Sequence, residues 1–306
     1  MDDNEIQTPA CLSAPQISRI RALAGICQAR DGYSMEARLD FGTLEAPPAG
    51  SPGHALWYAD DLLAGFAGMY SYSDPLEVET CILVHPEFRR KGIGRALVHV
   101  VIRECRKRSV QRLLLIVPQE SQEGAAFAHT LGALHFRSEY TMDLDVTGIP
   151  MTGMMPDPVE LRPAGIADVP VMAAIAASAF AGPVREEERS LVRLLKETSR
   201  RTYLATQDGK PVGVIQSVES DGRAFIVHFA VRPDLQGRGI GQQMLLAMIH
   251  GLRNSGSRWI TIEVETGNQH ALSLYRRCGF VTVSATDYEL LELHRIPTAP
   301  ELLFDS

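Results

Sequence analysis

The chain has 306 residues, enough for about two domains of ordinary size, and 45% hydrophobic against 22% charged residues is a globular composition. A net charge of −7 offers no general attraction to nucleic acid or anionic membrane, and no stretch approaches the roughly 18 to 20 unbroken apolar residues of a membrane span. Five unclustered cysteines (Cys11, Cys27, Cys81, Cys105, Cys278) and the acidic start Met1-Asp2-Asp3-Asn4-Glu5 lead to the expectation of a reduced, cytoplasmic protein without a disulfide framework or zinc site.

In chain order, the first segment that carries chemistry is Val84-His85-Pro86-Glu87-Phe88-Arg89-Arg90-Lys91-Gly92-Ile93-Gly94-Arg95. It follows an apolar run and opens a helix whose stripe is Ile93, Leu97, Val98, Val101, Ile102 and Cys105. A strand from Arg112 to Val117 and a helix ending at Leu131-Gly132 follow, and Tyr140 to Val146 alternates apolar with polar as a closing strand does. Pro and Gly punctuate residues 148–158, which read as a linker between domains at 1–147 and 159–306.

Beyond the linker, Val159 to Arg162 is a short strand, and Asp168 is placed to cap a helix with apolar positions at Val171, Met172, Ile175 and Phe180. A second helix runs from about Glu186 to Thr198. A hairpin then joins Thr202–Thr206 to Val212–Val218 through Asp208-Gly209. The apolar strand Ala224 to Val231 leads into Val231-Arg232-Pro233-Asp234-Leu235-Gln236-Gly237-Arg238-Gly239-Ile240-Gly241-Gln242, a near copy of the first segment at an offset of 147 (231 − 84). The stripe of the next helix, Ile240, Met244, Leu245, Met248, Ile249 and Leu252, keeps that offset. So do the strand Trp259 to Val264 and a helix from Asn268 to Cys278-Gly279, before final strands at Phe280–Val283 and Tyr288–Leu293. The expected class is α+β: two tandem domains, each a mixed, mostly antiparallel sheet flanked by helices.

Glycines at the start of a helix let main-chain N–H groups approach a ligand, and the helix end adds a positive dipole. With Arg89, Arg90, Lys91 and Arg238 nearby, a pyrophosphate is the natural occupant. A dinucleotide-binding fingerprint is the rival, but Gln242 stands at its third glycine, and the preceding strand lies behind an antiparallel meander.

Val-x-Pro-x-x-[Gln/Arg]-x-x-Gly-x-Gly, followed by Asn268 and Ala271-Leu272-Ser273-Leu274-Tyr275-Arg276-Arg277-Cys278-Gly279-Phe280, resembles the GCN5-related N-acetyltransferases, in which tandem arrangements occur. The second half matches over nearly its whole length, the first in the loop and the helix after it. The resemblance implies acetyl-CoA as co-substrate and no metal. It gives Val231, Gln236, Gly237, Arg238, Gly239, Ile240, Gly241 and Asn268 to the cofactor. Val84, Arg89, Arg90, Lys91, Gly92, Ile93 and Gly94 would be their counterparts in the first half. It makes Tyr275 the general acid toward the departing thiolate and places Glu263 where some members carry the base. The Val231 N–H would face the thioester carbonyl.

At the same offset Tyr275 becomes Ala128, Glu263 becomes Ile116 and Asn268 becomes Ser121. The expectation is therefore a catalytic second domain and a degenerate first one. His228 falls on the parity of a core or back-face histidine, and Glu79 is given the same reading. The acidic run Glu186-Glu187-Glu188 suits a helix start and could also face a cationic acceptor. The expected activity is direct acetyl transfer to a primary amine of a small molecule or protein; the alternative is a non-catalytic acyl-CoA-binding or regulatory protein.

Overall fold

The computed structural model describes residues 6–9, 11–35, 38–45, 53–72, 74, 76–147, 159–198, 200–220 and 222–296. The chain forms two compact units, residues 1–138 with 285–306, and residues 139–284. The linker expected at 148–158 lies outside the described residues.

Unit 1 contains β1 (Ile6–Gln7), α1 (Ala14–Asp31), α2 (Phe41–Glu45), β2 (Ala55–Ala59), β3 (Leu62–Tyr70), β4 (Glu77–Val84), α3 (Ile93–Lys107), β5 (Arg112–Pro118) and α4 (Gln122–Thr130). Its strands pair antiparallel except β4 with β5, which run parallel. Unit 2 repeats the plan with β7 (Val159–Pro163), α5 (Val169–Phe180), α6 (Val184–Leu194), β8 (Arg200–Gln207), β9 (Lys210–Ser220), β10 (Arg223–Val231), α7 (Ile240–Asn254), β11 (Trp259–Glu265) and α8 (Gln269–Arg277). Its parallel pair is β10 with β11.

The closing strands depart from the expected contiguous halves. β6 (Leu134–Asp145) and β12 (Val281–Glu292) are each one continuous strand, β12 joining the two final strands read separately from the sequence. Thr286–Glu292 completes the sheet of unit 1 on β5, and Glu139–Asp145 completes that of unit 2 on β11. Alternation fixes which face of a strand is buried but not which partner it takes, so two homologous sheet edges are indistinguishable to the pattern.

Both stripes pack as read: all six positions of each are buried under α3 and α7. In unit 2, α7 and α8 cover one face of the sheet through Ile226, Ile260, Ile262 and Val264, while α5 and α6 cover the other over Leu204, Val214 and Ala230. The Asp208-Gly209 turn has both residues at positive φ, as a type I′ hairpin requires. Two local expectations fail. Asp168 stands at the N-cap position of α5 but makes no capping side-chain hydrogen bond, because its carboxylate takes Arg162 and the Gly165 N–H, and Phe180 is 49% exposed.

Candidate active site

The fixed offset breaks inside one strand. Val84 and Val231 are 147 apart, but the residues pairing with Arg112 and Trp259 are Glu77 and Arg223, 146 apart (223 − 77). β10 therefore holds one residue more than β4. The extra residue is a bulge: β10 pairs β9 at Gln216–Val227 and next at Val214–Ala230, so His228 and Phe229 face Ile215 alone. His228 takes φ +49 there, whereas β4 pairs β3 without interruption from Tyr70–Glu79 to Gly65–Val84.

Beside the bulge the sheet of unit 2 opens. The parallel ladder ends at Ile226–Ile262. Arg232 donates its N–H to the Val212 carbonyl (3.0 Å), which turns the N–H and C=O of Val231 the other way, toward the gap. In unit 1 the ladder ends at Thr80–Leu115, and the His85 N–H to Ala64 bond (2.9 Å) orients Val84 alike.

The glycine loops share a backbone but divide their glycines between two tasks. Gly239 and Gly92 are left-handed N-caps (φ +82 and +83) of α7 and α3, and at Gly239 there is open space where a Cβ would stand. Gly241 and Gly94 instead allow close packing: a Cβ there would lie 3.4 Å from Leu274 and 3.3 Å from Phe127 respectively. Gly237 (φ +75) corresponds to Arg90 (φ +62), which holds the same conformation with a side chain. The first-turn N–H groups of α7 have no partner within the helix, and with exposed Arg238 beside them they suit a pyrophosphate.

Gln236 and Arg89 both pin the end of their strand, Gln236 Nε2 donating to the Val231 carbonyl and Arg89 Nε to that of Val84, each at 3.1 Å. Arg89 does more. Its guanidinium grips Asp31 at 2.6 and 2.7 Å and reaches Glu123 at 3.4 Å. Tyr33 donates to Ser121 Oγ at 2.7 Å. Lys91 Nζ lies 4.8 Å over the Phe88 ring. Around the loop of unit 1, polar groups thus engage one another.

Tyr275 is 6% exposed in the α7/α8 core, its ring stacked 6.4 Å from Phe229, the second residue of the bulge, and 6.1 Å from Phe280. Burial, and then the nearby Cys278, push its phenol well above the usual range, so it stays protonated at neutral pH. Glu263 is exposed and one residue beyond the last position of β11 that pairs with β10; alternation puts it on the α5/α6 side, opposite Ile262 and Val264. The two thus border the gap from opposite faces of the sheet. Asn268 caps α8, accepting the Ala271 N–H at 3.0 Å. Ser121 does the same for α4 through the Gly124 N–H (3.0 Å), so unit 1 lacks the asparagine but keeps the cap.

His228 corrects the parity argument. The bulge turns its ring to the α5/α6 side, edge-on to Phe180 at 5.2 Å and with Nε2 3.6 Å from Glu187 Oε2. Burial, and then the charge of Arg200, lower its pKa to about 4, so the ring is neutral at pH 7. Glu79 precedes the bulge point, so its counterpart is Phe225, on the parity opposite to that read for it; Arg137 pairs with it at 2.7 Å. Sequence reasoning missed Thr202 and Gln216, both buried on the same face as His228, although the one-residue change of offset was there to be found. Among the described residues, His135, Asp287 and Glu289 have metal-compatible spacing, but Ser138 and Gln119 already bond Asp287, and the group reads as a surface hydrogen-bond network.

The sequence profile of the acetyltransferase (GNAT) family matches residues 23–133 and again 171–280. The chain belongs to this family, as a tandem member. A mycothiol acetyltransferase of Thermomonospora curvata is 28% identical over 92% of this chain and 95% of its own length; that of Streptomyces avermitilis is 28% identical over 90% and 92%. Among solved structures, a GCN5-related N-acetyltransferase from Sphaerobacter thermophilus superposes with a TM-score of 0.78 at 22% identity, covering 94% of this chain and 95% of its own. A tandem GNAT protein from the clavulanic acid biosynthesis pathway gives 0.70 at 18% identity, covering 96% and 99%. No helix among the described residues is long and apolar enough to cross a membrane.

Proposed function

We propose that the chain is an acetyl-CoA-dependent N-acetyltransferase that moves the acetyl group directly to a primary amine in a ternary complex, with unit 2 as the working unit. The observation that carries this reading is the coincidence, in unit 2, of the bulged strand, the open gap and a buried phenol beside an unobstructed glycine loop. Acetyl-CoA, when bound, supplies the activated thioester. The α7 amides and Arg238 hold its pyrophosphate. The Val231 N–H donates to the carbonyl oxygen as charge builds there. Glu263 takes the ammonium proton, directly or through water, so that nitrogen can attack as the C–S bond breaks. Tyr275, kept neutral by burial, gives its proton to the leaving sulfur.

For unit 1, the Asp31–Arg89 clamp together with Ala128 and Ile116 favours a second reading, a non-catalytic acyl-CoA-binding or structural module. The test is thiol release across small-molecule and peptide amines, beginning with the reaction for which the mycothiol acetyltransferase relatives are named. Tyr275→Phe is expected to lower kcat about 10²- to 10⁴-fold, the usual range for a general acid. Unchanged turnover removes Tyr275 from that role, and no thiol release with any amine removes the activity.

A further inference from the structure

Unit 2 buries several side-chain polar atoms without hydrogen-bond partners on the face of its sheet beside the gap. His228 Nε2, Gln216 Nε2 and Thr202 Oγ1 are each buried with no hydrogen-bond partner among the described residues. They are neighbours by register: Gln216 lies opposite Val227, the residue before His228, and Thr202 lies opposite Gln216. Gln216 is wholly buried, and its Oε1 accepts Arg200 at 3.1 Å, which fixes the other end as the amide donor. In unit 1 the place of Gln216 is taken by Gly68, opposite Cys81, and the Tyr70 ring fills the space a side chain would need. A buried polar atom without a partner keeps the full cost of its desolvation, so a row of them beside a reaction gap calls for an occupant.

The chemistry of the row defines that occupant. The neutral ring of His228 accepts through Nε2 when its proton sits on Nδ1, and Glu187 Oε2 supplies negative charge 3.6 Å away. Two acceptors at that spacing suit a donor with several N–H bonds and a positive charge. Gln216 Nε2, a donor, needs an oxygen acceptor. Exposed Phe180 and Val184 border this side. We infer that Glu187, His228 and Gln216 form the acceptor site of unit 2, holding a primary ammonium between Glu187 and His228 while an oxygen on the carbon beside the amine accepts from Gln216. This rests on the acetyltransferase reading and narrows it to amines carrying a neighbouring carbonyl or hydroxyl. In support, burial and then the charge of Glu186 raise the Glu187 carboxyl, so a bound cation would relieve it. Arg200 is the cation facing His228 from β8.

The experiment is calorimetric titration of the CoA-loaded full-length protein with L-leucinamide, D-glucosamine, ethanolamine and putrescine, alongside the thiol-release assay. At least one of the first three is expected to bind, with Glu187→Gln weakening it tenfold or more and leaving the KM for acetyl-CoA within twofold. His228→Asn, which tolerates the left-handed backbone, is expected to weaken the same amine. L-Leucinamide should bind more tightly than isopentylamine, which lacks the oxygen, and than N-acetyl-L-leucinamide, which lacks the charge. No binding by any of the first three amines overturns the inference, as does unchanged affinity in Glu187→Gln or equal affinity for the leucinamide controls. Binding that depends on Glu187 without thiol release would leave this site standing and remove the catalytic reading.

Discussion

β4 and β10 occupy the same place in two copies of one fold, and they differ by a single residue. Without the extra residue, β4 runs regularly from Glu77 to Val84 and presents Cys81 and Leu83 to a core beneath α1. With it, β10 bulges, turns His228 toward α6 and aims Phe229 at Tyr275. A bulge re-aims side chains on both faces at once, at the cost of one residue in a strained backbone. The lesson is that a duplicated glycine loop does not bring a duplicated set of side chains with it; the strand that delivers the loop decides which of them meet there.

Acid should separate the two units most strongly once the buried histidine of one of them is replaced. His54 in unit 1 and His228 in unit 2 each have a pKa lowered to about 4 from 6.5, His54 by burial alone. Between pH 6.5 and 4 the unfolded chain binds these protons and the folded chain does not, so stability falls as pH drops through that window. Each group accounts for a loss on the order of 3 kcal/mol, complete near pH 4. The chain has two tryptophans, Trp57 in unit 1 and Trp259 in unit 2, so single-tryptophan variants report each unit separately in urea titrations. His228→Asn is expected to flatten the pH dependence seen by Trp259 and not that seen by Trp57. The same slope for both reporters in His228→Asn would refute the assignment.

A smaller effect separates the two strand-pinning side chains. Arg89, 24% exposed, is clamped by Asp31 at 13% exposure, while Gln236 is exposed and makes one hydrogen bond to its strand. Removing one member of a buried pair costs about 3–5 kcal/mol, which partial exposure here reduces to about 2 kcal/mol for Arg89→Ala. Gln236→Ala should cost about 1 kcal/mol. Equal shifts in unfolding midpoint would mean that the Asp31 clamp adds nothing.

Much of this was legible in the sequence, for physical reasons that also mark where reading stopped. The helix stripes, the loop glycines, the Asp208-Gly209 turn and the Asn268 cap are local: periodicity, positive φ and capping need only neighbouring residues. The closing strands were misassigned because their partners are distant in sequence and their alternation is indifferent to partner. Strict alternation puts His228 on the other face because it assumes no bulge, and the segment around it carries no glycine to announce one. Gln216 and Thr202 look like ordinary strand residues until burial removes their partners.

The finest contrast lies within the loops themselves. Arg90 and Gly237 share a left-handed backbone, φ +62 and +75, and both are exposed, with nothing within 4 Å of a Cβ at Gly237. Space is therefore no obstacle to a side chain at 237, and conformation alone sets the cost. A non-glycine residue there costs about 1–2 kcal/mol in the folded state, against about 0.5–1 kcal/mol of unfolded-chain entropy that glycine gives up on folding. Arg90→Gly should accordingly stabilise unit 1 by about 0.5 kcal/mol, and Gly237→Arg should destabilise unit 2 by a similar amount, each read by its own tryptophan. If Arg90→Gly instead lowers stability, the Arg90 side chain makes a compensating interaction, and the two loops differ by more than backbone conformation.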